Sequence, residues 1–146
     1  GHSEMIGLDA VYDTIEEIDA GTLFHTHLNS QGYNDGLLLG GPGKYDIDFG
    51  TRVNGFNVVL ARLFLDAGYE RWFGHDMQAR PYDKEDVALE RVVRSILSWD
   101  ACEQVARQLD MQGLATELAN RRTDRAEDIL RQATCEAQRI FDGMLK

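Results

Sequence analysis

The sequence predicts an α/β fold in which short parallel strands alternate with helices. Two apolar segments, residues 22–28 and about 70–75, are short and bounded by turn-forming residues, which is typical of buried strands. Helical patterns of apolar residues precede, separate and follow these segments. Such alternation favours parallel strands joined by right-handed crossovers. In folds of this kind the ligand-binding side chains lie at the carboxyl ends of the strands.

The first half of the chain contains two predicted helices, one strand and a loop. The first helix covers residues 4–20, with Ser3 as its N-cap and Gly21 as its C-cap. After the strand at 22–28, six glycines and a proline within residues 30–50 predict a long irregular loop, and such loops are usually functional. The second helix ends near Gly68, and its apolar stripe consists of Val53, Phe56, Val59, Leu60, Leu63 and Phe64.

The second half of the chain is predicted to be mainly helical. A short strand ends at Gly74-His75-Asp76, and Pro81 and Asp83 introduce a helix from about 84 to 109. Two more helices are expected at about 111–121 and 123–143. Two strands alone make a poor domain because both edges stay unpaired, so we expect further strands upstream. The apolar stripe of the long helix consists of Val87, Val92, Val93, Ile96, Leu97, Trp99 and Val105.

The composition is that of a globular protein and excludes several classes of function. A net charge of −10 argues against nucleic-acid binding, which requires a surplus of Lys and Arg. No run of about 18 apolar residues is present, so a membrane span is excluded, and no signal peptide is visible. Cys102 and Cys135 lack CxxC spacing, which favours unpaired thiols in the cytoplasm. The negative charge indicates either solubility or carboxylates that hold a cation.

Side chains that commonly bind metals are concentrated around the two predicted strands and the loop. Two histidines end the first strand, two aspartates follow in the loop, and one aspartate follows the second strand. Aspartates at i and i+2 can point toward one ion when the backbone between them is extended or turned. The pattern therefore indicates a divalent-metal site at the strand ends. Its candidate residues are His2, His25, His27, Asp46, Asp48 and Asp76.

Each candidate also has a purely structural interpretation. His2 is alternatively the remnant of a cleaved affinity tag, since Gly-His is a common scar. Asp46 and Asp48 are alternatively turn residues with local hydrogen bonds. Asp76 is alternatively the cap of the helix after the second strand.

Two histidines are assigned structural roles rather than ligand roles. His25 alternates with His27, and one of the two is expected to face away from the pocket. We therefore assign His25 a packing or hydrogen-bonding role. His75 is expected to be structural or to support a ligand rather than to bind an ion.

Four segments follow one another along the chain in a recognisable order. They are Gly1-His2-Ser3-Glu4-Met5, Leu23-Phe24-His25-Thr26-His27-Leu28-Asn29, Lys44-Tyr45-Asp46-Ile47-Asp48 and Phe73-Gly74-His75-Asp76-Met77. Together they resemble the C-terminal part of the xylose isomerase-like sugar isomerases, which are metal-dependent (β/α)8 barrels. The resemblance covers Gly1 to about residue 109 and implies a partial (β/α)8 TIM barrel with about the last two strands and their helices. Residues 110–146 would then be a helical C-terminal extension.

The resemblance implies two divalent metal ions, Mn²⁺, Mg²⁺ or Co²⁺. His2, Asp46 and Asp48 would hold the catalytic ion, and Asp48 would also help to remove a proton from a water molecule there. Asp76 would hold the structural ion. His27 stands where xylose isomerases carry a metal-binding aspartate and is similar to the rhamnose isomerase branch. An imidazole there removes one negative charge and favours Mn²⁺ or Co²⁺ over Mg²⁺.

The resemblance therefore implies an intramolecular oxidoreductase that interconverts an aldose and a ketose. A small sugar is the expected substrate, and the C-terminal extension suggests a homo-oligomer. The first five strands and a bridging glutamate would lie upstream of this chain, so the isolated fragment is expected to be inactive. Two alternatives stay open. One is an epimerase or lyase of the same superfold that acts on a keto-sugar or inositol. The other is a non-catalytic subunit completed by another chain.

Overall fold

The computed structural model describes residues 10–35, 42–48, 53, 55–76 and 84–146. Within these residues the chain forms five helices and three strands. The helices are α1 (Ala10–Asp19), α2 (Gly55–Asp66), α3 (Glu85–Ala106), α4 (Met111–Ala119) and α5 (Thr123–Met144). The strands are β1 (His25–Asp35), β2 (Pro42–Asp48) and β3 (Trp72–His75).

The three strands form one mixed sheet in the order β2-β1-β3. β1 and β3 are parallel, with His25 opposite Trp72 and Leu28 opposite His75. They are the two strands that the sequence predicts, and helices precede, separate and follow them. The α/β class is therefore confirmed at this coarse level.

None of the helices in the described ranges combines the length and the apolar composition that crossing a lipid bilayer requires.

The prediction of an irregular loop at residues 30–50 is wrong for residues 30–35 and 42–48, which form strands. Residues 30–35 continue β1, and β2 pairs with them in an antiparallel arrangement. The segment Lys44-Tyr45-Asp46-Ile47-Asp48 alternates polar and apolar residues, which is the period of a strand. The many glycines obscured this local pattern. The connection between the two strands, residues 36–41, lies outside the described residues.

The first helix ends as the sequence predicts. Gly21 adopts a positive φ of 69°, its N–H donates to Ile18 O, and the Thr22 N–H donates to Glu17 O. These two bonds form a Schellman motif, which satisfies carbonyls that have no partner within the helix. The C-cap prediction for Gly21 is thus confirmed. The predicted N-cap Ser3 and the helix-introducing Pro81 and Asp83 lie outside the described residues.

The chain divides into two compact units. The first comprises Gly1–Thr51 and Ala67–Ser95 and contains the sheet. The second comprises Arg52–Asp66 and Ile96–Lys146, and within it α5 packs against α2 and α4. The predicted domain boundary between residues 109 and 110 stays a prediction.

The core of the second unit consists of small residues around a few large ones. Ala126, Ala133, Ala137 and Phe141 are the buried residues of α5 and recur at helical spacing. Small side chains let neighbouring helices approach closely, and a Cβ at Gly55 would lie only 3.0 Å from Thr134 Oγ1. The α2–α5 contact is therefore tight.

The predicted apolar stripe of α3 is confirmed only in part: Trp99 and Val105 are buried, but the rest of the buried face differs from the prediction. Val87, Val93 and Ile96 are exposed, whereas Ser95, Ser98, Ala101 and Cys102 are fully buried. Small residues carry little hydrophobic signal, so the larger aliphatic residues misled the prediction.

Burial raises the pKa of Cys102 to about 12, because the thiolate is poorly solvated there. This thiol is accordingly unreactive at neutral pH.

Candidate metal centre

His27 and Asp76 meet at the carboxyl end of the parallel strand pair. His27 lies opposite Gly74 in the β1–β3 register. The Asp76 N–H donates to Leu28 O at 3.2 Å, which continues the pairing one residue beyond β3. As a result, His27 Nδ1 lies 3.9 Å from Asp76 Oδ2. The structure thus brings together two predicted ligands that are far apart in the sequence.

These two side chains have the spacing that a shared divalent ion needs. Two ligand atoms at about 2.1 Å from one ion are about 3.0 Å apart at a right angle and about 4.2 Å apart on opposite sides. The observed 3.9 Å falls within that range. The two side chains are 59% and 36% exposed, so an ion and a substrate can reach them. An imidazole nitrogen and a carboxylate oxygen suit Mn²⁺, Co²⁺ or Zn²⁺.

Asp46 and Asp48 lie on the neighbouring strand β2. Asp48 is opposite Asn29 in the antiparallel register, and Asp46 is opposite Gln31. Asp48 is therefore a diagonal cross-strand neighbour of His27, with about 7–8 Å between Cα atoms for such pairs. Asp46 lies about 7 Å farther along the strand. The side chains of both aspartates, and all of His2, lie outside the described part of the chain.

His25 does not face away from His27, contrary to the prediction. Residues at i and i+2 of a strand share one face. The two imidazole rings accordingly lie side by side, with centroids 4.8 Å apart and planes at 88°. The predicted packing role of His25 is nevertheless confirmed. A Cβ at Gly74 would lie 2.9 Å from His25 Cε1, which means that the ring packs directly over this glycine.

His75 makes the structural contact that the sequence predicts for it. Its Nδ1 and the Oγ of Ser95 are hydrogen-bonded at 2.9 Å, and Ser95 is fully buried. This bond joins β3 to the first half of α3. Burial also lowers the pKa of His75, because the charged imidazole would be poorly solvated.

The lowered pKa of His75 predicts a pH dependence of stability. The contribution of His75 to the free energy of unfolding is present in full at pH values above its ordinary pKa of 6.5. That contribution is lost as the pH falls from 6.5 through the lowered pKa of the folded state, because the unfolded chain binds the proton more readily. Between about pH 7 and pH 5 the melting temperature of the parent chain should therefore fall more steeply than that of His75→Asn. Thermal unfolding followed by circular dichroism at several pH values measures this, and equal slopes would contradict it.

Gly74 and Ser95 contribute to the site although neither is among the residues predicted from the sequence. Gly74 leaves room for the His25 ring, and Ser95 anchors the residue next to Asp76. A glycine inside a strand often marks a close approach of another group, so Gly74 carried a usable signal. Ser95 carried no such signal in the sequence, because a serine within a helical pattern is usually exposed to solvent.

Among the described residues, no three His, Cys, Asp or Glu side chains are already close enough together to hold an ion. No protein-family model, no curated protein and no solved structure matches this chain. The function is therefore inferred from the site residues and from the parallel strands that carry them.

Proposed function

We propose that this chain is the C-terminal part of a divalent-metal-dependent sugar isomerase that interconverts an aldose and a ketose. The observation that carries the proposal is the 3.9 Å approach of His27 Nδ1 to Asp76 Oδ2 at the carboxyl end of two parallel strands. Ligand groups of barrel enzymes come from strand ends of this kind. The proposed fold is accordingly a partial (β/α)8 barrel, in which β1 and β3 are neighbouring barrel strands.

The register of the sheet supports two ion positions rather than one. His27 and Asp76 would hold one ion. Asp46 lies opposite Gln31, four residues beyond His27, which corresponds to about 14 Å along the strand. Ligand distances of about 2.1 Å cannot join groups so far apart through one ion. Asp46 and Asp48 would therefore hold the second ion, together with His2.

The chain's own residues would bind and orient the sugar near these positions. When bound, two divalent ions would polarise the sugar carbonyl and the neighbouring hydroxyl and stabilise the charge that develops during the hydrogen shift. The exposed sides of His27 and Asp76 would leave space for the substrate hydroxyls. Asp48, as the diagonal neighbour of His27, would accept a proton from water between the two positions. The proposed location is the cytoplasm, and further copies of the chain are the proposed protein partners.

Removal of one ligand should weaken metal binding by the intact chain. We expect Asp76→Asn and His27→Ala each to raise the dissociation constant for Mn²⁺ at least about tenfold, because even supporting residues of metal ligands contribute 10–100-fold. Titration of Mn²⁺ followed by electron paramagnetic resonance measures the free ion directly. Asp142→Asn is the matched control, since Asp142 is an exposed carboxylate on α5.

An unchanged Mn²⁺ affinity in both ligand variants would contradict the proposed metal site. Within a complete assembly, a coupled assay for aldose–ketose interconversion tests the reaction itself. Formation of an epimer without a ketose would replace the isomerase proposal with the epimerase alternative.

A further inference from the structure

Large aliphatic residues of α3 lie on its exposed side, opposite the small residues that the helix buries. Leu89, Val93 and Ile96 are 64%, 44% and 47% exposed, whereas Ser95 and Ser98 are fully buried. In a surface helix the apolar side normally faces the core and the polar side faces solvent. The first half of α3 therefore has the pattern of a helix that is covered on both sides.

The three exposed residues form one continuous row, which we call the outer stripe. Leu89, Val93 and Ile96 follow one another at spacings of four and three residues, which is the spacing of a helix–helix seam. Single exposed apolar residues are normal on protein surfaces, whereas contiguous ones mark interaction sites. The outer stripe is therefore suited to a second helix that lies along α3.

An aspartate continues the same spacing at each end of the outer stripe. Asp86 precedes the stripe by three residues, Asp100 follows it by four, and both are exposed. Asp86 accepts a hydrogen bond from the Val87 N–H at 2.9 Å, and Asp100 accepts one from Gln104 Nε2 at 3.2 Å. Both donors are uncharged, so these bonds leave the negative charges in place. The apolar row is thus bounded by two carboxylates about 21 Å apart along the helix axis.

A second copy of this chain does not match the charges around the outer stripe. In an antiparallel pair of α3 helices centred on Val93, each Asp86 would lie beside an Asp100. In a parallel pair, each aspartate would lie beside its own counterpart. Both arrangements bring like charges together, and the net charge of −10 adds to the repulsion between copies. The occupant with complementary charge is a helix that carries lysine or arginine.

We propose that the outer stripe binds a basic amphipathic helix of a different protein. That helix would place three apolar residues, at the same spacing, against Leu89, Val93 and Ile96. A lysine or arginine beyond each end of its apolar row would meet Asp86 and Asp100. An amphipathic helix that lays its apolar face on a complementary surface is a common mode of recognition. The interaction needs no metal ion, so it can fail without affecting the proposed function.

Two synthetic peptides test this charge pattern on the intact chain. Both are helical, carry three leucines at the spacing of the outer stripe and bear a fluorescent label. The first peptide has lysine beyond each end of the leucine row, and the second has glutamate there. Fluorescence anisotropy should show that the lysine peptide binds at least about tenfold more tightly. Rising ionic strength should reduce this difference, because salt screens exposed charges.

Variants of exposed residues assign the binding to the outer stripe. We expect Leu89→Gln to weaken binding of the lysine peptide at least about tenfold, because less apolar area is buried on binding. The matched control is Leu118→Gln, since Leu118 is an exposed leucine on α4, and it should not change the affinity. The double variant Asp86→Asn with Asp100→Asn keeps the acceptor oxygens and should bind the two peptides equally.

Three outcomes would refute the proposal. One is equal affinity of the parent chain for the two peptides, and another is full affinity of the Leu89→Gln chain. The third is a parent chain that forms dimers in sedimentation equilibrium while Leu89→Gln stays monomeric, since a second copy would then cover the outer stripe. The peptide comparison on the parent chain needs no variant, so it decides the question even if a variant does not fold.

Discussion

Replacement of Phe64 by alanine is expected to lower the free energy of unfolding by about 3–5 kcal/mol. Phe64 is 4% exposed and lies in the core of the second unit, where its ring meets Trp99 edge to face with centroids 6.1 Å apart. Trp99 is itself 5% exposed. Truncation removes buried apolar area, leaves a cavity and breaks an aromatic pair that contributes about 0.5–1.5 kcal/mol beyond its burial.

Phe56 provides a matched control on the same helix. It is the same residue type as Phe64, but it is 47% exposed. We expect Phe56→Ala to lower the free energy of unfolding by less than half as much as Phe64→Ala, because less apolar area is removed from the protein interior. Urea unfolding followed by far-ultraviolet circular dichroism compares the two variants. Equal losses would contradict the burial of Phe64 on the inner face of α2.

Replacement of Gly74 by alanine is expected to lower the free energy of unfolding by about 1–3 kcal/mol through overpacking. The new Cβ would lie 2.9 Å from His25 Cε1 and 3.0 Å from Thr26 O. The imidazole can move aside. The Thr26 carbonyl cannot, because it belongs to the backbone of β1 beside its partner strand. The loss should exceed the 0.4–1 kcal/mol that alanine gains over glycine from the unfolded state.

Two further variants separate the causes of this loss. Gly143→Ala places a methyl group where nothing lies within 4 Å and should be neutral or stabilising, because alanine favours the helix. Adding His25→Ala to Gly74→Ala should restore the part of the stability lost through the imidazole, but not the part lost through the Thr26 carbonyl. Chemical denaturation of the single and double variants measures both parts. A Gly74→Ala chain as stable as the parent would contradict the close packing of β1 on β3.

Most helices were predictable because their signals are local. Apolar periodicity placed α4 and α5 within a few residues of their observed bounds. Gly21 ended α1 through its left-handed backbone, a conformation that glycine adopts at no steric cost. The burial of Ser95 and Ser98 in α3 was not predictable, because a hydroxyl-bearing residue is buried only when neighbouring elements close over it.

The strands show where prediction from neighbouring residues alone fails. Glycine density suggested a loop at residues 30–50, whereas pairing between β1 and β2 supplies the backbone hydrogen bonds that extend both strands. The predicted orientation of His25 was wrong for a simpler reason. Positions i and i+2 of a strand lie on the same face, so His25 and His27 point the same way. The family resemblance and the sugar substrate stay predictions.

Residue order alone was sufficient to identify the helices, the two parallel strands and the residue types that can bind a divalent ion. Periodicity, caps and ligand chemistry are properties of neighbouring residues, so they can be read along the chain. Only the tertiary structure placed His27 Nδ1 3.9 Å from Asp76 Oδ2 and laid the His25 ring over Gly74. Those contacts join residues from different strands, and the register that creates them depends on packing across the sheet, which no local pattern specifies.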